Sequence, residues 1–200
     1  MPSRSPGHLV VICGSMFAGK TEELIRRARR ALYARKKVQV FKPAIDRRYD
    51  DSMVVTHMGV RHEAEPVCSV LELRSKIARD VQVVVVEEVQ FFDESIVDLA
   101  VELADEGKQV VLAGLDQDFR RKPFGPMPAL LCVADEVVKL RAICMKCGAP
   151  ASHTYRMIDG RPAHMDDPVI LIGATEAYEA RCRGCYTIRG IKKPKKRPVT

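Results

Sequence analysis

No stretch of the 200 residues strings together the roughly 18 apolar side chains that a membrane-crossing helix needs. The amino-terminal residues Met1-Pro2-Ser3-Arg4-Ser5-Pro6 lack the apolar core of a secretory signal. The expectation is therefore a cytoplasmic chain without a membrane partner. Internal repeats are absent, and so is a second motor domain. Around the cysteine pairs there is no aromatic platform interleaved with basic residues, which argues against dedicated nucleic-acid binding. The length allows one α/β domain of ordinary size plus a small appendage.

Against those absences stands Gly14-Ser15-Met16-Phe17-Ala18-Gly19-Lys20-Thr21, which fits the P-loop pattern G-x-x-x-x-G-K-[ST]. Leu9-Val10-Val11-Ile12-Cys13 before it reads as a buried strand, and Glu22 onward reads as a helix, so the match lies at a strand-to-helix junction. Gly14 and Gly19 let successive N–H groups curl around one anion, and the helix N-terminus adds partial positive charge. Lys20 is expected on the outer phosphates of a nucleoside triphosphate and the Thr21 hydroxyl on Mg2+.

The formal charge of +7 looks like a nucleic-acid footprint until it is located. Lys192, Lys193, Lys195, Lys196 and Arg197 lie in a proline-punctuated tail, expected to be solvated and disordered. Arg26, Arg27, Arg29, Arg30, Arg35, Lys36 and Lys37 surround a stripe of Leu24, Ile25, Ala28, Ala31 and Leu32, and read as the wet face of the first helix.

Further along, strands are expected at Val38–Phe41, Val81–Val86, Gln109–Ala113 and Glu136–Leu140, with helices at Ser69–Ala78, Glu94–Glu106 and Ala129–Ala134. Residues 46–59 read as a loop, as do residues 114–125. This alternation predicts an α/β fold, a doubly wound parallel sheet of the P-loop type with ligands at the carboxyl ends of its strands. The pattern stops near Arg141. The expected organisation is a nucleotide-binding domain over 7–141, a small zinc-binding lasso domain over 142–190 and a basic tail over 191–200.

Val81–Val86 is followed by Glu87-Glu88, the Walker B arrangement of a buried strand ending in acidic residues. In an extended chain these two side chains point to opposite faces. One is then expected to support the magnesium ion while the other faces the substrate as a general base. Cys144-x-x-Cys147 and Cys182-x-x-Cys185 supply four thiolates with spacing that suits a closed tetrahedral Zn2+ site of structural role. Cys13, Cys68 and Cys132 read as small buried side chains without function.

Taken together, Met16–Leu24, Glu88-Val89-Gln90-Phe91-Phe92, Gly114–Phe124, both cysteine pairs and Gly173-Ala174-Thr175-Glu176-Ala177-Tyr178 resemble the zinc-containing class II thymidine kinases over about residues 7–186. That resemblance implies transfer of the ATP γ-phosphate to the 5′-hydroxyl of thymidine, with deoxyuridine a further acceptor, in nucleotide salvage for DNA synthesis. It implies Glu88 as the base. ATP is held by Gly14, Ser15, Met16, Phe17, Ala18, Gly19, Lys20 and Thr21 together with Glu87 and Gln90. Around the thymine it implies Met16, Gln90, Phe91, Leu115, Phe119 and Thr154, covered by a loop containing Val169, Ile170, Leu171, Ile172, Gly173 and Tyr178. Asp46, Arg48 and Tyr49 match a stretch near the phosphates. The family also implies a homotetramer and feedback by thymidine triphosphate (dTTP). With the loop pinned by zinc, the metal is expected to organise the acceptor side, with the P-loop distant from it.

Two positions depart from the family pattern. Glu87-Glu88 replaces the commoner Asp-Glu, making the magnesium-side carboxylate one methylene longer. Cys185 stands where some members carry histidine, and either ligates zinc. The rival reading is a P-loop ATPase acting on nucleic acid through the zinc module and tail, with Gln90 as a coupling residue. A non-catalytic nucleotide-regulated module is a third reading, in which Glu88 has little reason to be there. Thymidine-stimulated against DNA-stimulated ATP turnover separates the first two.

Overall fold

The computed structural model describes residues 7–44, 53–55, 61–170 and 176–190. Its centre is a six-stranded sheet, built from β1 (His8–Cys13), β2 (Val38–Pro43), β5 (Glu65–Val67), β6 (Val83–Val86), β7 (Gln109–Gly114) and β8 (Glu136–Lys139). They lie in the order β5-β2-β6-β7-β1-β8, and every neighbouring pair is parallel. The runs Leu9–Cys13, Val83–Val86 and Val110–Gly114 are buried along their length, as strands covered on both faces must be.

Helices cover the two faces separately. Helix α1 (Lys20–Tyr33) packs Leu24, Ile25, Ala28 and Ala31 on Val10, Ile12, Val83, Val85, Val111 and Ala113. The alternate residues Leu9, Val11, Val84, Val86, Val110 and Leu112 face a second cluster with α2 (Val70–Lys76), α3 (Ser95–Asp105) and α4 (Met127–Val133). This is the predicted doubly wound arrangement. Leu32, expected in the buried stripe of α1, is 46% exposed. Its neighbour Ala31 takes the buried position in the same turn, at 7% exposure, and Leu32 falls at the rim of the stripe.

Three expectations change. Residues 53–55 form β3 (Met53–Val55), antiparallel to β4 (Arg61–Glu63), where a loop was expected. The sheet gains the edge strand β5, Glu65-Pro66-Val67, whose proline suits only an edge. Cys68 and Cys132 are exposed, and only Cys13 of the three is buried. Burial pushes the Cys13 thiol up to about 11, as expected of an inert core thiol.

Beyond Leu140 the named strands pair antiparallel. Strands β9 (Ala142–Ile143) and β10 (Pro150–Ala151) pair with each other. Strand β11 (His153–Ile158) is flanked by β12 (Arg161–Pro162) and β13 (Glu176–Arg181). A small cluster of Ala142, Cys144, Ala151 and Ala180 forms their core, and Ala18 of the P-loop packs against it. The tail over 191–200 lies outside the described residues.

Candidate active site and four-cysteine centre

The carboxyl ends of the central strands converge on the P-loop. Gly14 has φ 147°, and a Cβ there would lie 2.6 Å from the Leu140 carbonyl oxygen, so only glycine fits. Gly19 caps α1 in the left-handed region at φ 84°. Between them Ser15 is buried, Met16 half-buried, Phe17 exposed and Ala18 half-buried. The Ser15 hydroxyl oxygen is buried without a hydrogen-bond partner, as expected of a group shaped to meet an anion.

Helix α1 begins at Lys20, two residues before the expected start, so both Lys20 and Thr21 are set by its first turn. Lys20 is buried, and its Nζ donates to the Ser15 carbonyl at 3.0 Å. Burial pulls the Lys20 ammonium below its ordinary range, while the negative charges of Glu88, Glu87 and Asp116 oppose that. The Thr21 hydroxyl donates to Glu87 Oε1 at 2.5 Å. Strand β7 lies between β1 and β6, and α1 lies across it, so the helix start meets the end of β6.

Glu87 and Glu88 are separated by a different device from the one expected. Strand β6 stops at Val86, and Glu88 adopts φ 51°, ψ 39° at the head of a 3-10 turn, Val89–Phe91. The alternation of an extended chain therefore does not apply, and both carboxylates contribute to the field at Lys20. A non-glycine residue held in the left-handed region is strained, and such strain is commonly found at functional sites.

Gln90 links this acidic pair to the neighbouring strand. It is 2% exposed; its Nε2 donates to Glu88 Oε2 and its Oε1 accepts from the Leu115 N–H at 3.0 Å. Gly114 and Gly125 pack so closely on Gln90 that a Cβ would lie 2.7 Å from its Oε1 and 2.3 Å from its carbonyl oxygen, respectively. Phe91 makes an edge-to-face contact with Phe124, ring centroids 5.6 Å apart.

The loop after β7 is organised by acidic residues that sequence reasoning missed. Asp116 pairs with Lys139 Nζ at 2.9 Å, bridging β7 and β8 over the end of β1 where the P-loop begins. Asp118 Oδ1 accepts from the N–H groups of Arg120 and Lys122 at 2.8 and 2.9 Å, and its Oδ2 accepts from Arg120 Nε at 2.7 Å. The only signal available was their place in a loop rich in charge after a buried strand.

Those bonds fix Phe119, which is buried beside the antiparallel sheet. Its ring lies 3.8 Å below the Arg156 guanidinium carbon, and its carbonyl accepts from the Tyr186 hydroxyl. Burial pushes the Tyr186 phenol up to about 12, which keeps it a donor. Thr154 is buried, and its Oγ1 accepts from the Met16 N–H at 3.1 Å. Val169 is half-buried, Ile170 exposed and Tyr178 half-buried, paired in register with Arg156. Leu171, Ile172 and Gly173 lie outside the described residues, as do Asp46, Arg48 and Tyr49.

The four cysteines predicted as ligands come together, with all sulfurs within 4.8 Å of one another. Each pair sits on a tight turn. Gly148 N–H donates to the Cys144 carbonyl at 2.8 Å, and the N–H groups of Cys185 and Tyr186 donate to the Cys182 carbonyl at 3.1 and 3.0 Å. Main-chain donors, that of Cys182 foremost, pull the Cys144 thiol down to about 6, and that of Cys185 pulls the Cys182 thiol down. The neighbouring sulfurs of Cys147 and Cys182 push Cys185 up to about 12. Four thiols this close resist full ionisation unless a cation joins them, and a tetrahedral zinc ion with Zn–S bonds of about 2.3 Å spans sulfurs at such separations. The donor set fits zinc.

The fold and the site define a P-loop nucleotide-binding protein with the layout of a phosphotransferase. The family model described as "Thymidine kinase" matches residues 7–186. The chain belongs to the thymidine kinase family, a family of nucleoside kinases, and its four-cysteine cluster suits the zinc-containing type. Among solved structures it is similar to domain III of the replication initiation protein DnaA from Thermotoga maritima, at 18% identity and TM-score 0.42. That match covers 70% of this chain, which spans 56% of the other. No helix among the described residues is long and apolar enough to cross a membrane.

Proposed function

We propose that the protein is a thymidine kinase that transfers the ATP γ-phosphate to the 5′-hydroxyl of thymidine, giving thymidine monophosphate for nucleotide salvage. The observation that carries this reading is the two-ended bonding of Gln90. One end of its amide meets Glu88 and the other the main chain of Leu115, so the base and the acceptor pocket form one unit. A P-loop ATPase that acts on nucleic acid has no need of such a link.

In this reading the P-loop N–H groups and Lys20 hold the phosphates and neutralise charge on the transferring group. Thr21 and Glu87 offer two adjoining hard oxygens that fit a magnesium ion, which when bound would supply positive charge against the phosphates. Glu88 accepts the 5′-hydroxyl proton as the oxygen attacks phosphorus, while Gln90 orients its carboxylate. Met16, Gln90, Phe91, Leu115, Phe119 and Thr154, with Val169, Ile170 and Tyr178, form the acceptor pocket. Zinc on Cys144, Cys147, Cys182 and Cys185 closes the base of the lasso. The division into a nucleotide domain over 7–141 and a lasso domain over 142–190 belongs to this proposal, as do a homotetramer, feedback by dTTP and a cytoplasmic location.

A coupled ADP-release assay over a nucleoside panel and DNA tests the reading. Turnover stimulated by thymidine, with deoxyuridine as a further acceptor, is the expected outcome. DNA-stimulated turnover without any response to nucleosides would overturn it.

A further inference from the structure

Arg156 lies near the middle of β11 and is 1% exposed. Burying a guanidinium costs several kcal/mol unless its contacts are specific. Three such contacts are visible. Nη1 donates to the Pro168 carbonyl at 2.8 Å and to the Val169 carbonyl at 3.2 Å. The planar head lies on the Phe119 ring, with its carbon 3.8 Å from the centroid, a stacked contact that a lysine ammonium does not reproduce.

The strand pleat explains why this residue is where it is. Thr154 and Arg156 are two apart and project from the same face of β11. The first bonds the Met16 main chain, while the second takes hold of Phe119 and the start of the segment after Pro168. Phe119 is thus held twice, its ring by Arg156 and its carbonyl by Tyr186. Nothing in the family resemblance or in the P-loop pattern assigns Arg156 a part.

We propose that Arg156 is a positioning residue for the acceptor nucleoside: it holds the Phe119 ring and the Pro168–Val169 main chain in the one geometry that receives the base. This rests on the acceptor-pocket reading above. Its hydrogen bonds and its stacked face go to Pro168, Val169 and Phe119 on the acceptor side, so its removal acts on nucleoside binding and leaves the phosphate chemistry in place.

Steady-state kinetics of Arg156→Met and Arg156→Lys against the unmodified protein test this. Arg156→Met keeps an apolar stem and loses both the donors and the planar face. Its KM for thymidine is expected to rise about tenfold, the equivalent of one strong stacked contact. Its KM for ATP should stay within about twofold and kcat within about threefold. Arg156→Lys should fall between, and it decides the matter by the same readout if Arg156→Met does not fold. Phe119→Leu, alone and combined with Arg156→Met, should show coupling, the double variant being little worse than either single one. A folded Arg156 variant with unchanged thymidine KM, equal rises in both KM values, or strictly additive effects with Phe119→Leu would each overturn the proposal. A purely structural Arg156 would lower the melting temperature and leave both KM values alone. The unmodified protein is assayed in parallel over the nucleoside panel. If it phosphorylates a different nucleoside, the thymidine reading fails while the Arg156 effect is still read on that acceptor, by KM and by its Kd.

Discussion

The main-chain N–H of Met16 donates to the hydroxyl of Thr154 at 3.1 Å, joining the phosphate loop to β11 across 138 positions of sequence. Ala18, two residues on, packs against the small core that contains Cys144. The phosphate loop and the cysteine module therefore share a boundary. A ligand that orders one of them is felt by the other, and in place of the remote P-loop expected from sequence the loop packs on the core that carries Cys144.

Lys20→Ala removes the ammonium that lies among Glu87, Glu88 and Asp116. A preorganised cation in a water-excluded site is worth several kcal/mol in the transition state, so thymidine-dependent ADP release should fall by about a thousandfold. The sheet keeps its own core, and the variant should remain folded by circular dichroism. Near-normal turnover in purified Lys20→Ala would defeat the assignment of the phosphate site.

The two acidic residues should respond differently to small changes. Glu88→Gln retains an oxygen able to accept from Gln90 Nε2 but cannot take a proton, so kcat should drop by about a hundredfold or more with little change in either KM. Glu87→Asp restores the commoner family residue. It gives up the direct contact with Thr21 and leaves more room for a metal ion, so activity should stay within about threefold of the starting protein or rise. Unchanged kcat in Glu88→Gln, or a dead Glu87→Asp, would reverse the two roles.

The first helix supplies a prediction about pH. Glu23 Oε2 accepts from Arg26 Nε at 2.6 Å, and its Oε1 accepts from Arg26 Nη2 at 2.6 Å and from Arg27 Nε at 2.7 Å. The bonds from Arg26, with the one from Arg27, hold its carboxyl down at about 2 against an ordinary 4.5. A carboxyl whose folded value is depressed stabilises the fold fully above its unfolded value, and the gain is lost as pH falls through the folded one. Glu23→Gln should therefore be less stable than the starting protein at pH 7, with the gap closing between about pH 4.5 and 2. Urea midpoints of both proteins across that range check it; a gap that widens as pH falls contradicts the pairing.

What could be read from sequence was local. The P-loop is one contiguous string, each cysteine pair is a four-residue string, and Val83–Val86 announces a buried parallel strand by its uniform branching. The parts that were missed depend on residues far apart. Whether Glu88 leaves the strand is decided by where β6 ends and by the Gln90 link to Leu115. The Asp116–Lys139 bridge needs β7 and β8 on either side of β1. Arg156 looks like any surface arginine until β11 brings it over Phe119. Leu32 fits the apolar stripe of α1 and is still 46% exposed, because periodicity says which face a residue takes and not where the covering layer stops. Cys132, two residues from the buried Leu130, falls instead on the outer face of α4.

Metal removal tests how far the cysteine centre governs the site. If Cys144, Cys147, Cys182 and Cys185 hold one zinc ion, metal analysis should find one zinc per chain, and Cys182→Ser should lose it. Tyr186 follows Cys185 directly and holds the Phe119 carbonyl, so loosening that turn releases one of the two grips on Phe119. Thymidine affinity should consequently fall by more than tenfold, the scale set by about 1.4 kcal/mol per factor of ten. The Met16–Thr154 bond and the Ala18 contact carry part of the disturbance to the phosphate loop, and a neutral hydrogen bond is worth about 1 kcal/mol. ATP affinity should thus weaken by a smaller factor, about fivefold. Both dissociation constants measured on Cys182→Ser decide between the alternatives. Unchanged thymidine affinity in zinc-free protein removes the clamp from the acceptor side. Equal loss of both ligands with a collapsed melting transition means that the metal holds up the whole fold. Untouched ATP affinity would show that the contacts between P-loop and cysteine module transmit nothing.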